Sequence, residues 1–312
     1  ACQLRVDVFA LGLAPDAYCL IRTQIAAGTA EMQNFANWFQ YHRKRHLALR
    51  AGMGEAFNDI SGIRLGGTPI NNRPGSVTMY DFDSQRSDVY NWFYGIGGNN
   101  GGTPNREGLK FADDQFDSTT SGIVQHACQK NFVLQFTDGF SSPNTSSGVG
   151  NADSGKGAPY QDAYSNTIAD IAMKYYTRIR SDLTGGQVPV PVGCRAGNRD
   201  PSLDCNANPH VNHYGITLGA QGNVFGVTHQ RVADAYTTAP TWVDPTAQRS
   251  PVQVDDLYHA SVNGRGEMLN ARSSTELTNR LRQALESIIA NSEGPGSRTA
   301  SSSTRAGGGS LL

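Results

Sequence analysis

Apolar residues recur three or four positions apart in several long stretches of the chain, which is the spacing of one face of a helix. In residues 33–57, side chains such as Trp38, Phe39 and Met53 form one stripe, while Arg43 and its basic neighbours take other faces. The pattern predicts a helix here. It predicts further helices over residues 105–116, 160–183, 255–262 and 273–290.

Short apolar runs with the length of a β-strand lie between these helices. Residues 133–136 are apolar except for Gln135 and are a candidate for a strand covered on both faces. Residues 211–218 alternate, with Tyr214, Ile216 and Leu218 on one side. Shorter strand candidates are residues 63–65, 77–80 and 267–269.

Helices that alternate with short apolar strands predict an α/β fold with a doubly wound, mostly parallel sheet. A mixed α+β domain with large insertions is the alternative. We expect one domain over residues 24–290, with polar insertions at 141–157 and 185–209. Residues 1–23 form a strand or loop segment of uncertain role, and 291–312 have the composition of a disordered linker.

The composition narrows the functional classes. The 312 residues carry a formal net charge of −1 at pH 7, so we expect no nucleic-acid partner and no attraction to an anionic membrane. No apolar run approaches the roughly 18 residues that a membrane-spanning helix needs. The chain begins with Ala1 and Cys2 and shows no signal peptide, so we expect a processed protein or a fragment.

The cysteines favour an exported protein. Cys194 and Cys205 flank a polar loop of the kind that a disulfide closes in exported proteins. The odd total of five leaves at least one thiol unpaired within the chain. His210 and His213 would complete a zinc site with these two cysteines, but they run into a strand whose alternate side chains point to opposite faces. The disulfide is therefore the favoured interpretation.

Catalytic motifs are weak in this sequence. No Gly-x-Ser-x-Gly elbow singles out a serine nucleophile, and His126, His229 and His259 have no partner that the sequence reveals. No nucleotide-binding loop is present either. The alternative function is a secreted metal-dependent or serine hydrolase that uses these histidines and Asp138.

Thr103 and Asp138 are the candidate metal ligands. Thr103 stands on a loop before a predicted helix, and Asp138 follows the 133–136 strand. Ligands of α/β proteins bind at the carboxyl edge of the sheet. A hydroxyl and a carboxylate oxygen there suit a hard cation such as Mg²⁺.

Six blocks of the sequence, taken together, are distinctive. They are NFANWFQYHRKRHLALRAGMGEAF, GGTPNREGL, CQKNFVLQFTDG, SNTIADIAMKYYTRIRSDL, HYGITLGAQG and VDDLYHASVNGRGEMLNARSSTELTNRLRQALESI. These blocks resemble the PilY family, the proteins of type IV pilus biogenesis and of the pilus tip. The resemblance covers most of residues 24–290, in the same order as in the family.

The resemblance implies a von Willebrand factor A-like fold, which often carries a metal-ion-dependent adhesion site that holds Mg²⁺ or Ca²⁺. It puts Thr103 at the threonine position and Asp138 at the second-aspartate position, and Gly139 would permit the tight turn that aims Asp138 at the ion. The family's Asp-x-Ser-x-Ser loop is missing. We therefore expect weak or no metal binding, and either truncation or residues 3–12 in the place of the first strand.

By the same resemblance, the chain is a non-enzymatic binding module in pilus assembly and surface attachment. The implied partners are pilins, minor pilins and a host or abiotic surface. The implied location is extracellular or at the cell surface, on the pilus. The sheet edge and the insertions at 141–157 and 185–209 are the natural contact regions, because loops on a rigid sheet commonly carry recognition.

Overall fold

The computed structural model describes residues 24–96, 102–137, 139–142, 148–195, 200–246 and 250–292. The predictions for residues 1–23, for Asp138 and for 293–312 lie outside these ranges, as do parts of both insertions. In chain order the elements are α1 (Ala30–Tyr41), α2 (Arg45–Ala56), β1 (Arg64–Leu65), β2 (Tyr80–Asp81), α3 (Arg86–Gly95), α4 (Asn105–Asp117), β3 (Asn131–Thr137), α5 (Ile168–Thr177), β4 (Val211–Leu218), α6 (Val232–Thr237), α7 (Val252–Asn263), β5 (Arg265–Ala271) and α8 (Ser274–Ser292).

Within the described residues, β3, β4 and β5 form a parallel sheet with β4 in the middle. Leu134 of β3 lies opposite Tyr214, and Ile216 of β4 lies opposite Leu269. A separate antiparallel pair joins β1 and β2. The predicted α/β class with a parallel sheet is confirmed.

Helices cover both faces of the sheet. On one face, α5 and α7 pack against Val211 and Met268. On the other, α8 packs against strand residues of opposite parity, Ile216 and Leu269, and α2 packs on α8 in the same apolar cluster. Because successive side chains of a strand point to opposite faces, one sheet serves two apolar cores. No helix in the described part of the chain has the length and apolar character that crossing a membrane requires.

The predicted helix over residues 33–57 is wrong in one respect, because the structure breaks it into α1 and α2. The chain leaves helical geometry at His42 (φ −128°) and is extended at Lys44 (φ −118°, ψ 145°). After the break, α2 packs its small residues on α8, and a Cβ on Gly52 would lie 3.2 Å from Leu281 Cδ1. The close approach to α8 fixes α2 and leaves the aromatic residues of α1 exposed.

The predicted helix over residues 160–183 is longer than the observed α5. Thr167 and Asp170 form a reciprocal cap, in which the Asp170 N–H donates to Thr167 Oγ1 (3.0 Å) and the Thr167 N–H donates to Asp170 Oδ2 (2.9 Å). Asn166 before the cap has a φ of +63°, and Arg178 after the helix is extended. Residues 160–166 are therefore loop, and that loop lies against α7.

Candidate functional site at the carboxyl edge of the sheet

Thr103 lies at the carboxyl end of β3, where the sequence places the candidate metal site. The Ser142 N–H donates to Thr103 O (2.8 Å), and the Thr103 N–H donates to Ser142 Oγ (2.6 Å). These two bonds hold the loop before α4 against the segment that follows β3. Asp138 itself lies outside the described residues.

Asn105, which sequence reasoning missed, organises this edge. Its Nδ2 donates to Thr137 Oγ1 (3.2 Å) and to Ser141 Oγ (3.0 Å). Its main-chain oxygen accepts from Gln135 Nε2 (3.1 Å). Its Oδ1 is buried and has no hydrogen-bond donor among the described residues. The available signal was the asparagine two positions after Thr103, inside the GGTPNREGL block.

Gly139 makes the turn after β3. Its φ is +109°, in the region that favours glycine, and a Cβ at this position would collide with Ala220. The turn also uses Thr137, whose Oγ1 accepts from the Gly139 N–H (3.3 Å). The geometry explains why a glycine follows Asp138.

The described groups at this edge fit a hard cation only in part. They supply hydroxyl, amide and main-chain oxygens, which are ligand types that Mg²⁺ and Ca²⁺ accept. The edge oxygens of Thr103, Asn105 and Ser141 carry no negative charge, so the described residues alone offer little to offset the loss of hydration around a divalent ion.

The two cysteines with an expected role are joined. Cys194 and Cys205 form a disulfide with a Cα–Cα distance of 5.4 Å. The two histidines of the alternative zinc site belong to different networks. His210 Nε2 lies 2.9 Å from Asp204 Oδ2, and His213 Nε2 lies 2.9 Å from Asp113 Oδ2.

The histidines do not form a hydrolase triad in the described part of the chain. Thr228 Oγ1 lies 2.9 Å from His229 Nδ1, which pairs a hydroxyl with an imidazole. The other ring nitrogen lies 2.8 Å from the main-chain oxygen of Thr238, where a triad has a carboxylate. His259 has partners that the sequence did not reveal. Its Nε2 lies 3.6 Å from Asp153 Oδ2, and its Nδ1 lies 3.5 Å from Asp162 Oδ2.

Comparison with known proteins gives similarity to the type IV pilus biogenesis factor PilY1 of Pseudomonas aeruginosa. PilY1 of strain PAK is 29% identical over 92% of this chain, and that of strain PAO1 is 27% identical over 92%. PilY1 of strain UCBPP-PA14 is 24% identical over 85% of the chain. The chain is therefore similar to these PilY1 proteins over most of its length.

The PilY resemblance predicted from the sequence blocks is thus confirmed. The chain spans 28%, 28% and 26% of the length of these three PilY1 proteins, so it corresponds to about a quarter of each. No family model matches the chain, and no solved structure matches it.

Proposed function

We propose that the chain is a von Willebrand factor A-like binding module of a type IV pilus-associated protein, that it is not an enzyme, and that it works outside the cytoplasm in pilus assembly and surface attachment. The observation that carries the proposal is the similarity to PilY1, a type IV pilus biogenesis factor, over 92% of the chain. The parallel sheet with helices on both faces is compatible with a doubly wound fold.

The carboxyl edge of the sheet is the proposed contact surface for pilins, minor pilins or the attachment surface. The bonds between Thr103 and Ser142 and those of Asn105 give this edge a fixed shape. The loops that start beside it belong to the 141–157 insertion. A rigid edge with polar loops is the usual arrangement of a recognition surface in an α/β protein.

Sedimentation with pili tests the proposal. Purified chain is mixed with type IV pili sheared from P. aeruginosa strain PAK, and the pelleted fraction is measured over a concentration series. We expect saturable co-sedimentation, weakened about tenfold by Thr103→Arg, which adds size and charge at the edge. The matched control is Ser87→Arg, at an exposed position of α3, with no expected effect.

Two outcomes would contradict the proposal. If the folded chain remains in the supernatant at every concentration, the pilus-binding function is wrong. If Thr103→Arg and Ser87→Arg both bind like the unmodified chain, the contact surface is not this edge.

We also propose that the edge binds Mg²⁺ or Ca²⁺ weakly, if at all, because the family's Asp-x-Ser-x-Ser ligands are missing from the sequence and the described edge groups are uncharged. Thr103 and Asp138 would hold the ion, and the ion would supply a positive charge for an acidic group of a partner. Calorimetric titration with Mg²⁺ should show no micromolar site. Micromolar binding that Asp138→Ala abolishes would overturn this part of the proposal.

A further inference from the structure

A second group of potential metal ligands lies buried beneath the loop that precedes α5. His259 projects from α7, and Asp153 and Asp162 come from the segment between residues 148 and 167. The side chains of these three residues are 3%, 0% and 4% exposed, respectively. One ligand atom from each residue lies within 4.8 Å of the other two.

The surroundings of the His259 ring fix its tautomer. Nε2 lies 2.5 Å from the main-chain oxygen of Tyr160, which can only accept, so Nε2 carries a hydrogen. The Trp242 ring stacks on the imidazole with a centroid distance of 3.9 Å and an angle of 9° between the planes. Histidine ligands of metals commonly donate their second ring N–H to a carbonyl in this way.

In the neutral ring, the lone pair of His259 Nδ1 then faces the carboxylate of Asp162. The two atoms are 3.5 Å apart, which exceeds the usual 2.7–3.2 Å of a direct N–H···O bond. Two ligand atoms that share a tetrahedral metal at about 2.1 Å are separated by about 3.4 Å. The distance between the two atoms therefore fits two electron-pair donors that share a cation.

Charge balance points the same way. Among the described residues, neither Asp153 nor Asp162 forms an ion pair with a lysine or an arginine. Isolated buried charges are costly unless they are paired or coordinate a metal.

Two buried amide groups provide an independent observation. Asn263 is fully buried, and its Nδ2 donates to Asp153 Oδ2 (3.0 Å) and to Ala169 O (3.2 Å). Asn151 Nδ2 donates to Asp162 O (3.2 Å). The Oδ1 atoms of both amides are buried and have no hydrogen-bond donor in the described part of the chain. Two amides that contact the aspartates of the cluster, one at a carboxylate and one at a main-chain oxygen, therefore carry unsatisfied oxygens.

We propose that His259, Asp153 and Asp162 bind a divalent transition-metal ion of the zinc type, separate from the carboxyl-edge site. One imidazole with carboxylate oxygens is a donor set that Zn²⁺ accepts and that suits Mg²⁺ poorly. His259 Nδ1, which faces Asp162, and one oxygen of each aspartate are the ligands. Asp153 Oδ2 lies 3.6 Å from Nε2, so this carboxylate turns toward Nδ1 to reach the ion. The metal ties the 148–167 loop to α7, which is buried along its whole length, and its role is structural.

Metal analysis and thermal unfolding test the site. Free thiols are alkylated first, because Cys128 is exposed and unpaired. The chelator-treated chain is then titrated with Zn²⁺. We expect one ion per chain and a Tm that rises with zinc concentration, because an ion that binds only the folded chain stabilises it. Substitution by Co²⁺ should give the intense visible absorption of a low-symmetry, four-coordinate ion.

Variants assign the ion to its ligands. Asp162→Asn keeps the size of the side chain and should weaken zinc binding at least about tenfold. His259→Gln should abolish both the cobalt absorption and the zinc-dependent rise in Tm. Asp138→Ala is the matched control at the sheet edge and should change neither. Circular dichroism establishes whether each variant is folded. If His259→Gln is not folded, the result for Asp162→Asn decides the test.

Several results would overturn the proposal. They are a folded chain that retains no stoichiometric zinc, a Tm that zinc does not change, and zinc binding that survives Asp162→Asn but not Asp138→Ala. In the first two cases a proton would take the place of the metal, and the cluster would be a buried ion pair. None of these three results affects the pilus-binding test, since that test depends on Thr103.

Discussion

Helices α7 and α1 have the same length and opposite surroundings. All twelve residues of α7 are buried, whereas no residue of α1 is buried, although the structure describes all twelve. On α1, Phe35, Trp38 and Phe39 are 44%, 49% and 47% exposed. On α7, Asp255 and Asp256 are each 5% exposed. Residue type alone would have ranked these side chains in the reverse order.

The buried carboxylates of α7 are tolerated because each has several donors. Asp255 accepts from the main-chain N–H groups of Asn223 and Phe225 at 2.8 and 2.9 Å. Asp256 accepts from the first N–H groups of α5, at Ile168 and Ala169. Burial raises the pKa of both aspartates, and these hydrogen bonds oppose the rise. The comparison shows that burial follows from the partners that tertiary structure supplies.

The largest effect should come from removing the Asp256 carboxylate. Asp256 lies 3.4 Å from Arg106 of α4, and the side chains of the pair are 2% and 7% exposed. Asp256→Ala leaves a buried arginine without its carboxylate and removes the acceptor of the Ile168 and Ala169 N–H groups, so the free energy of unfolding should fall by about 3–5 kcal/mol. Urea denaturation measures the change. Glu55→Ala, at an exposed position of α2, is the control and should stay within about 0.5 kcal/mol.

A loss below about 1 kcal/mol for Asp256→Ala would mean that the contacts between α4, α5 and α7 do not depend on this carboxylate. The contrast between α7 and α1 would then rest on apolar packing alone.

A smaller effect should follow from adding one methyl group beneath α7. A Cβ on Gly215 of β4 would lie 2.9 Å from Leu257 Cγ and 2.7 Å from Met268 Sδ. The methionine can move, but the leucine is held by the core, so Gly215→Ala should cost about 1–3 kcal/mol. Thermal or urea unfolding measures it. Gly75→Ala, where a Cβ would meet no described atom within 4 Å, is the matched control.

If Gly215→Ala is neutral or stabilising, α7 does not pack as closely on the sheet as the structure indicates. Gly75→Ala should be neutral, and equal losses in the two variants would show that the effect has no connection with α7.

The sheet could be predicted from the sequence, because successive side chains of its strands point into two apolar layers and this leaves a recognisable pattern along the chain. Residues 211–218 alternate in the sequence, and β4 has those bounds. Residues 133–136, which are apolar except for Gln135, lie within β3. The prediction of a single helix over residues 33–57 was wrong. Apolar periodicity shows which residues share a helix face, but it does not show which element packs against that face. Only α8 shows that α2 presents glycine and alanine to a neighbour.

The candidate sites were predictable to different degrees. Thr103 was named because the PilY resemblance assigns it a role, and its main chain is hydrogen-bonded to Ser142 in the segment after β3. Its role as a metal ligand stays a prediction. The cluster of Asp153, Asp162 and His259 was not found, because its members come from a loop and a helix that are distant in sequence. No spacing rule connects such residues, and only the packing of the loop on α7 brings them together.

The smallest effect should be on α1, and it is the sharpest check of the comparison. Trp38 is 49% exposed, so Trp38→Ala should change the free energy of unfolding by no more than about 0.5 kcal/mol. Phe57→Ala is the contrast: Phe57 is 2% exposed and packs edge-on against Phe82 and Phe93, so its loss should cost about 3–5 kcal/mol. Urea denaturation of both variants gives the two values.

A loss above about 2 kcal/mol for Trp38→Ala would show that the aromatic face of α1 is covered in the folded chain, because only a buried tryptophan contributes that much. The difference between α1 and α7 would then lie in which segment covers each helix.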